Sequence, residues 1–420
     1  MSKYKYIEKC INQFSEFTDK ENPYTRHVFS VDFKAARAWL SKELKVLGCE
    51  VVRDYAGNLK GILKASEDSS KRVLIGSHLD TVLNGGRYDG VAGVVAGLSI
   101  LKSFKEKGIN LPFDLEIYDY LGEELNEWNT SCVGTRGLTG QLTEEMLDRT
   151  NVEGEKLIDK IVEEGGHAER LFEGSKGLDN IIGSFELHIE QGCILQNSKA
   201  KIGIVNSIPT ISRHKISIIG QAGHTGTTGM TDRKDALVSG AALIEFVNTS
   251  AKEMSRKSNR HFVATIGKIN VFPNAVTIIP SSVEILLDLR VVDSGLRKQF
   301  LQLLNKECLS RKNKDGVSID IQEVAFSKYV EMDKQLNSLI QHCAKIRGLS
   351  AIHMDSGAGH DTAHLAKFIP ASLIFIPCLD GHSHCPEEFA EIDDIVNGAN
   401  IIETAILKMA SQPEFNVNEG

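Results

Sequence analysis

Apolar positions along the first half of the chain follow two alternating rhythms. Arg72-Val73-Leu74-Ile75-Gly76-Ser77 is a short apolar run closed by a glycine, the pattern of a buried strand. From Asp89 to about Lys107 the pattern turns helical. Gly93, Ala96 and Gly97 are small enough for close packing on a sheet, and Gly108 stands where a helix stop is expected. Leu115–Leu121 and Phe185–Gly192 are the next strands, and each runs into polar residues at its carboxyl end. The alternation predicts an α/β domain with a mixed, mostly parallel sheet.

The pattern changes near Thr210. His214–Gly220 alternates like a half-exposed strand, and an amphipathic helix follows from about Asp232 to Met254. Strands at Phe262–Ile266 and Val283–Arg290, a helix near Leu296 to Leu309 and a strand at Val317–Ile321 complete the stretch. Their order, β-α-β-β-α-β, predicts a ferredoxin-like α+β domain inserted over 210–328. The first rhythm resumes after about Tyr329, with a buried strand at Ser372–Pro377 and a helix from about Ile392 to Met409. Residues 1–209 and 329–420 are therefore expected to form one domain around the insertion. The chain shows no internal repeat and no low-complexity segment.

Composition narrows the function classes. The 420 residues allow two or three domains, and 25% charged with 41% hydrophobic residues is ordinary for a soluble globular protein. A net charge of -8 without a long basic run disfavours a nucleic-acid partner. No stretch approaches the ~20 apolar residues that span a bilayer, and the opening residues lack an apolar core of signal-peptide length. The eight cysteines are scattered without a C-x-x-C pair. Reduced thiols in a cytoplasmic enzyme fit that usage.

The chemistry gathers at strand ends, where open α/β sheets bind ligands. Gly76-Ser77-His78-Leu79-Asp80-Thr81-Val82 is followed by Asn84-Gly85-Gly86-Arg87-Tyr88-Asp89-Gly90. His78 and Asp80 share a side of an extended chain, so the Asp80 carboxylate is placed to hold the His78 ring beside a metal. The structural alternative makes His78 a strand-end histidine and Asp89 a helix N-cap. Glu123-Glu124 closes an apolar strand, where two like charges call for a cation; adjacent carboxylates on a surface helix are the plainer reading. His188, beside Glu190-Gln191-Gly192, is a third candidate ligand, though a lone strand-end histidine also serves structure. Gly381-His382-Ser383-His384 is the fourth cluster, and spacing leaves His382 and His384 equally eligible. Histidines and carboxylates at 78, 89, 124, 188 and 384 together suit two divalent ions with a water between them.

These motifs, with Gly359-His360-Asp361 and Ser383-His384, resemble the M20 metallopeptidase-like amidohydrolases. His188-Ile189-Glu190-Gln191-Gly192 favours the branch of N-carbamoyl-L-amino-acid hydrolases, allantoate amidohydrolases and β-ureidopropionases. The resemblance implies one metal on His78, Asp89 and His188 and another on Asp89, Glu124 and His384, with Asp89 bridging. It implies that Asp80 orients His78 and that Glu123 is the general base. The inserted domain would serve dimerisation and act as a lid, giving a homodimer. His224 would stabilise an oxyanion, Gln191 and His360 would line the pocket, and Arg290 would grip a substrate carboxylate with its two-pronged guanidinium. The chain departs from the family's Asn-His-Ala-Gly-Thr-Thr-Pro-Met segment at Gly223, Thr225 and Gly229. Thr277 stands where the family has a substrate-binding asparagine, offering one hydroxyl in place of an amide.

The expected activity is hydrolysis of a ureido or carbamoyl C–N bond in a small carboxylate-bearing substrate. A dipeptidase or N-acyl-amino-acid deacylase on the same scaffold is the alternative, and a non-catalytic metal-binding homologue is a third reading. Zinc, manganese, nickel and cobalt all suit mixed imidazole and carboxylate ligands. Neither nucleic acid nor membrane is expected as a partner.

Overall fold

The computed structural model describes residues 1–258 and 260–411. They divide into two compact units. One comprises Met1–Asn206, Glu331–Met354 and the residues from His360 onward; the other comprises Ser207–Val330 and Asp355–Gly359. The expected boundaries at 209/210 and 328/329 lie within a few residues of these. The pattern did not reveal that five residues after Met354 group with the inserted unit.

The larger unit is built on a mixed sheet. Strands Asp114–Tyr120, Arg72–His78, Ile181–Ile189 and Ala371–Ile376 lie side by side in that order and run parallel. Leu59–Leu63 joins antiparallel on one side and Ile202–Ile208 on the other. The central strands are buried along nearly their whole length, which explains why they read as continuous apolar runs instead of alternating ones. Parallel strands put all their carboxyl ends at one edge. His78 and His188 lie in the last residues of such strands, and the Glu123-Glu124 and His384 loops follow the ends of two others.

Helix Val91–Lys107 is buried on most of its surface. Its small residues are what allow this: a Cβ on Gly93 would lie 2.4 Å from the Leu187 carbonyl, and one on Gly97 2.9 Å from Ile117. Gly108 ends the helix in the left-handed conformation at φ 63°, as its position predicted. Two helices for which the sequence reading assigned no element, Lys3–Ser15 and Val31–Val46, add Tyr6, Ile7, Phe14, Phe33 and Leu40 to the same core.

The inserted unit contains a four-stranded antiparallel sheet, ordered Ser318–Ser327, Thr210–Ile219, Ser282–Val291, Phe262–Phe272. Helices Ala236–Lys257 and Ser294–Asp315 complete the β-α-β-β-α-β order. Alternating burial along Thr210–Ile219 and Ser282–Val291 gives the sheet one face that packs with Leu243, Val247, Phe300 and Leu304. The outer strands Phe262–Phe272 and Ser318–Ser327 run several residues beyond their apolar signatures, because their distal halves are largely exposed and carry no buried periodicity.

Candidate metal centre

Asp89 is the hub of the larger unit's polar core. Its Oδ1 lies 3.4 Å from His78 Nε2 and 3.0 Å from His188 Nε2, and its Oδ2 lies 3.3 Å from His384 Nε2. Glu124 Oε1 lies 3.3 Å from the same His384 nitrogen. The helix-cap alternative fails here: Gly90 is the N-cap of the following helix, and no side chain caps it. Gly90 holds φ 64°, and a Cβ there would lie 2.5 Å from both the ring and the carbonyl of His78. The glycine is required because the backbone passes directly under the imidazole.

Two groups of donors result, His78–Asp89–His188 and Asp89–Glu124–His384, each with its ligand atoms within 4.8 Å of one another. Three imidazoles and two carboxylates, arranged as two triads on one shared carboxylate, fit a pair of divalent ions. Electrostatics agree. Burial works to raise the Asp89 carboxyl, yet the imidazoles of His188, His384 and His78 outweigh it and hold it well below the usual range. Hydrogen bonds to Asp89 and Glu124 push His384 up to about 11. Burial disfavours the charged form of His78, but Asp89, Glu123 and Asp80 overcome it and raise its pKa well above normal. A site that draws protons onto buried imidazoles attracts positive charge, which a metal ion would supply in their place.

Asp80 lies beside the His78 ring through both its backbone and its side chain. His78 Nδ1 pairs with the backbone carbonyl of Asp80 at 3.0 Å, whereas the Asp80 carboxylate stays 3.7 Å away. The strand ends at His78, so the two-residue parity of an extended chain no longer applies at Asp80. Its carboxylate also reaches the next loop and accepts the N–H groups of Glu123 at 3.2 Å and Glu124 at 3.0 Å. Burial pushes the Asp80 carboxyl up to about 6.

Glu123 Oε2 lies 3.8 Å from His78 Nε2. Burial, reinforced by Glu124 and Asp361, raises the Glu123 carboxyl well above the normal range. The Cys132 thiol sits 3.6 Å from Glu123 Oε1. Gln191 donates to Asp89 Oδ2 at 2.7 Å, and its buried Oε1 has no hydrogen-bond partner among the described residues. The buried His360 ring packs edge-on against His188 at 4.6 Å. A cavity of about 290 Å³ opens beside Asp80 and Glu124, with Phe29 and Trp128 in its wall.

The other sequence-derived candidates lie in the inserted unit. His224 is exposed on a two-residue bridge to Ile278–Ile279, and its Nδ1 accepts the Gly226 N–H at 3.0 Å. That bond leaves Nε2 to carry the proton of the neutral ring. The exposed Thr277 offers its carbonyl to the Thr225 N–H at 3.2 Å. At the replaced asparagine position, a Cβ on Gly223 would lie 3.0 Å from Thr228 Oγ1 and 3.3 Å from Ile279. Arg290 donates to Asp288 at 3.0 Å and to the Gly357 carbonyl at 3.1 Å.

Sequence reasoning assigned no role to Glu388, Ser383 or Asp361. Glu388 and Asp361 are buried, and all three hydrogen-bond within or beside the centre. No periodicity marks them: Glu388 follows Glu387 in a polar loop, and only its partners distinguish it.

The chain matches the model of Peptidase family M20/M25/M40 over residues 74–408 and belongs to that family. The N-carbamoyl-L-amino-acid amidohydrolase of Pseudomonas sp. (strain NS671) is 33% identical over 393 residues, 93% of this chain and 94% of the relative. The allantoate amidohydrolase of Bacillus subtilis (strain 168) is 30% identical over 390 residues, 92% of each chain. A crystal structure of an amidase of the hydantoinase/carbamoylase family from Burkholderia multivorans matches with a TM-score of 0.87 at 27% identity, covering 98% of both chains. The resemblance read from the motifs is thereby borne out. Enzymes of this family generally use divalent metals. No helix among the described residues is long and apolar enough to cross a membrane.

Proposed function

We propose that the protein is a metal-dependent amidohydrolase that cleaves the ureido C–N bond of an N-carbamoyl amino acid or an allantoate-like substrate. The observation that carries this reading is the pair of donor triads sharing Asp89, with a half-buried carboxylate, Glu123, beside them. His78, Asp89 and His188 would hold one ion, and Asp89, Glu124 and His384 the other; zinc and manganese suit these donors best, and nickel and cobalt also fit. Bound divalent ions supply polarisation of the substrate carbonyl and acidification of a water.

The remaining steps belong to the chain's own residues. Glu123 takes a proton from the attacking water and returns it to the leaving nitrogen. Its raised affinity for protons, which burial causes, suits a base that keeps the proton and then returns it. Asp80 holds the Glu123–Glu124 backbone, and Asp89 anchors Gln191, whose Oε1 is an acceptor for a substrate N–H. His224 is assigned to the oxyanion, Arg290 to the substrate carboxylate, and Thr277 and His360 to further substrate contacts, as the family resemblance implies. Hydrolysis of a carbamoyl amino acid gives ammonia, carbon dioxide and the amino acid. The inserted unit is assigned to homodimer formation, which sedimentation of the purified chain tests.

The decisive experiment is an ammonia-release screen of metal-reconstituted protein against N-carbamoyl amino acids, allantoate, ureidoglycolate and dipeptides. Release from ureido substrates that is lost on chelation supports the reading. Turnover confined to dipeptides or acyl amino acids would replace it with the deacylase alternative.

A further inference from the structure

We propose that Glu388 is a positioning residue that assembles the second donor group, Asp89–Glu124–His384. The inference rests on the reading of those residues as metal ligands. Glu388 is 2% exposed, and both carboxylate oxygens are engaged. Oε1 accepts the N–H groups of Tyr88 at 2.8 Å and Asp89 at 2.9 Å. Oε2 lies 3.0 Å from the Ser383 hydroxyl, which in turn lies 3.1 Å from Asp89 Oδ2. Glu388, Ser383 and Asp89 thus close a ring that clips the loop carrying His384 onto the loop carrying Asp89. Gly86 makes room for it, since a Cβ there would lie 2.3 Å from the Glu388 carboxylate.

The two donor groups depend on this clip unequally. His78 lies at the end of one buried strand and His188 within the last residues of another, and a nearby carbonyl holds each ring: Asp80 at 3.0 Å and Ile189 at 2.9 Å. Among the described residues no carbonyl holds the His384 ring in this way. His384 sits on a loop in the left-handed conformation at φ 57°, with 47% of its side chain exposed. That loop has two buried anchors: the Cys378 thiol, which donates to the His382 carbonyl at 2.8 Å, and Glu388, whose N–H closes a turn onto the Cys385 carbonyl at 3.1 Å. Ser383 has one proton for two carboxylates.

The test counts ions instead of turnover. The full chain is stripped of metal and dialysed against graded Zn²⁺ alone, and bound zinc is measured by mass spectrometry. Wild type is expected to bind two ions per chain. Glu388→Ala and Ser383→Ala are expected to keep the first and to weaken the second about 10–100-fold, the usual effect of losing a partner that orients a ligand. Glu388→Gln keeps an acceptor for both amides and is expected to restore most of the loss. Ser383→Ala removes only one leg of the ring. Its metal-free unfolding midpoint should equal that of wild type, which separates positioning from general destabilisation even where Glu388→Ala does not fold.

Wild-type affinity for the second ion in Ser383→Ala, or equal weakening of both ions, would overturn the inference. A wild type that binds no zinc overturns both this inference and the metal reading. A wild type that binds two ions yet hydrolyses no ureido substrate fails the proposed activity alone, and the ion counts still decide the role of Glu388.

Discussion

The carboxylate of Asp80 accepts the backbone N–H of Glu124 at 3.0 Å. Through this bond the strand end that carries His78 also sets the loop that carries both glutamates. An Asp80→Asn chain keeps the shape but turns an amide N–H₂ toward one of two backbone donors. It is expected to lose about 1–3 kcal/mol of local stability and about 10-fold or more in kcat. Steady-state kinetics on a fully metal-loaded variant checks this, and an unchanged kcat would remove Asp80 from the supporting frame.

Glu123 faces His78 but belongs to neither donor triad. Glu123→Gln should therefore retain wild-type metal content while kcat falls about 10²–10⁴-fold, the range for a lost general acid–base group. Metal analysis paired with ammonia release measures both. A metal-loaded and active Gln variant would exclude Glu123 as the base.

Arg290 is held by Asp288 and by the Gly357 carbonyl, a posture that also fits a purely structural strand-end arginine. Asp288 keeps a second partner in Arg213 at 3.1 Å, so Arg290→Ala should fold. KM for carboxylate substrates is expected to rise about 10–100-fold from loss of a charge-assisted pair. KM for an uncharged amide analogue should hardly move. Equal KM values for both substrates would assign Arg290 to structure alone.

Glu403 accepts from Lys107 at 2.7 Å and Ser103 at 2.8 Å and pairs closely with Lys3. Burial pushes its carboxyl up, but the two lysines outweigh burial, and its pKa falls below the usual 4.5. A depressed folded-state pKa means stability that is present above pH 4.5 and disappears as pH falls through the lower folded value. Glu403→Gln should thus be less stable than wild type at pH 7, by about 1–3 kcal/mol. The gap should close in strongly acidic buffer. Denaturant unfolding at both pH values checks this, and a gap that persists in acid would contradict the ion-pair origin.

Much of the fold was legible because its signals are local. The buried run at Arg72–Ser77, the helical period beyond Asp89 and the glycine stop at Gly108 each emerge at the expected place. The edge strands Phe262–Phe272 and Ser318–Ser327 were shortened in the sequence reading, since an exposed strand needs no apolar alternation to pair. The five donors at 78, 89, 124, 188 and 384 were recognisable as residue types at strand ends. Parallel strands then bring those ends to one edge.

What the sequence determined by itself was the inventory of donors, the α/β frame with its insertion, and the family. Each depends on residue type and short-range spacing. The tertiary structure decided the geometry among loops. It brought His384 to Asp89 and Glu124, where spacing alone left His382 equal. It shared the Asp80 carboxylate between the His78 ring, 3.7 Å away, and the N–H groups of Glu123 and Glu124. It also joined Glu388 to the Asp89 amide across 299 positions. A hydrogen bond over that separation leaves no periodic trace in the chain. It exists only because the two loops emerge one strand apart at the same edge of the sheet.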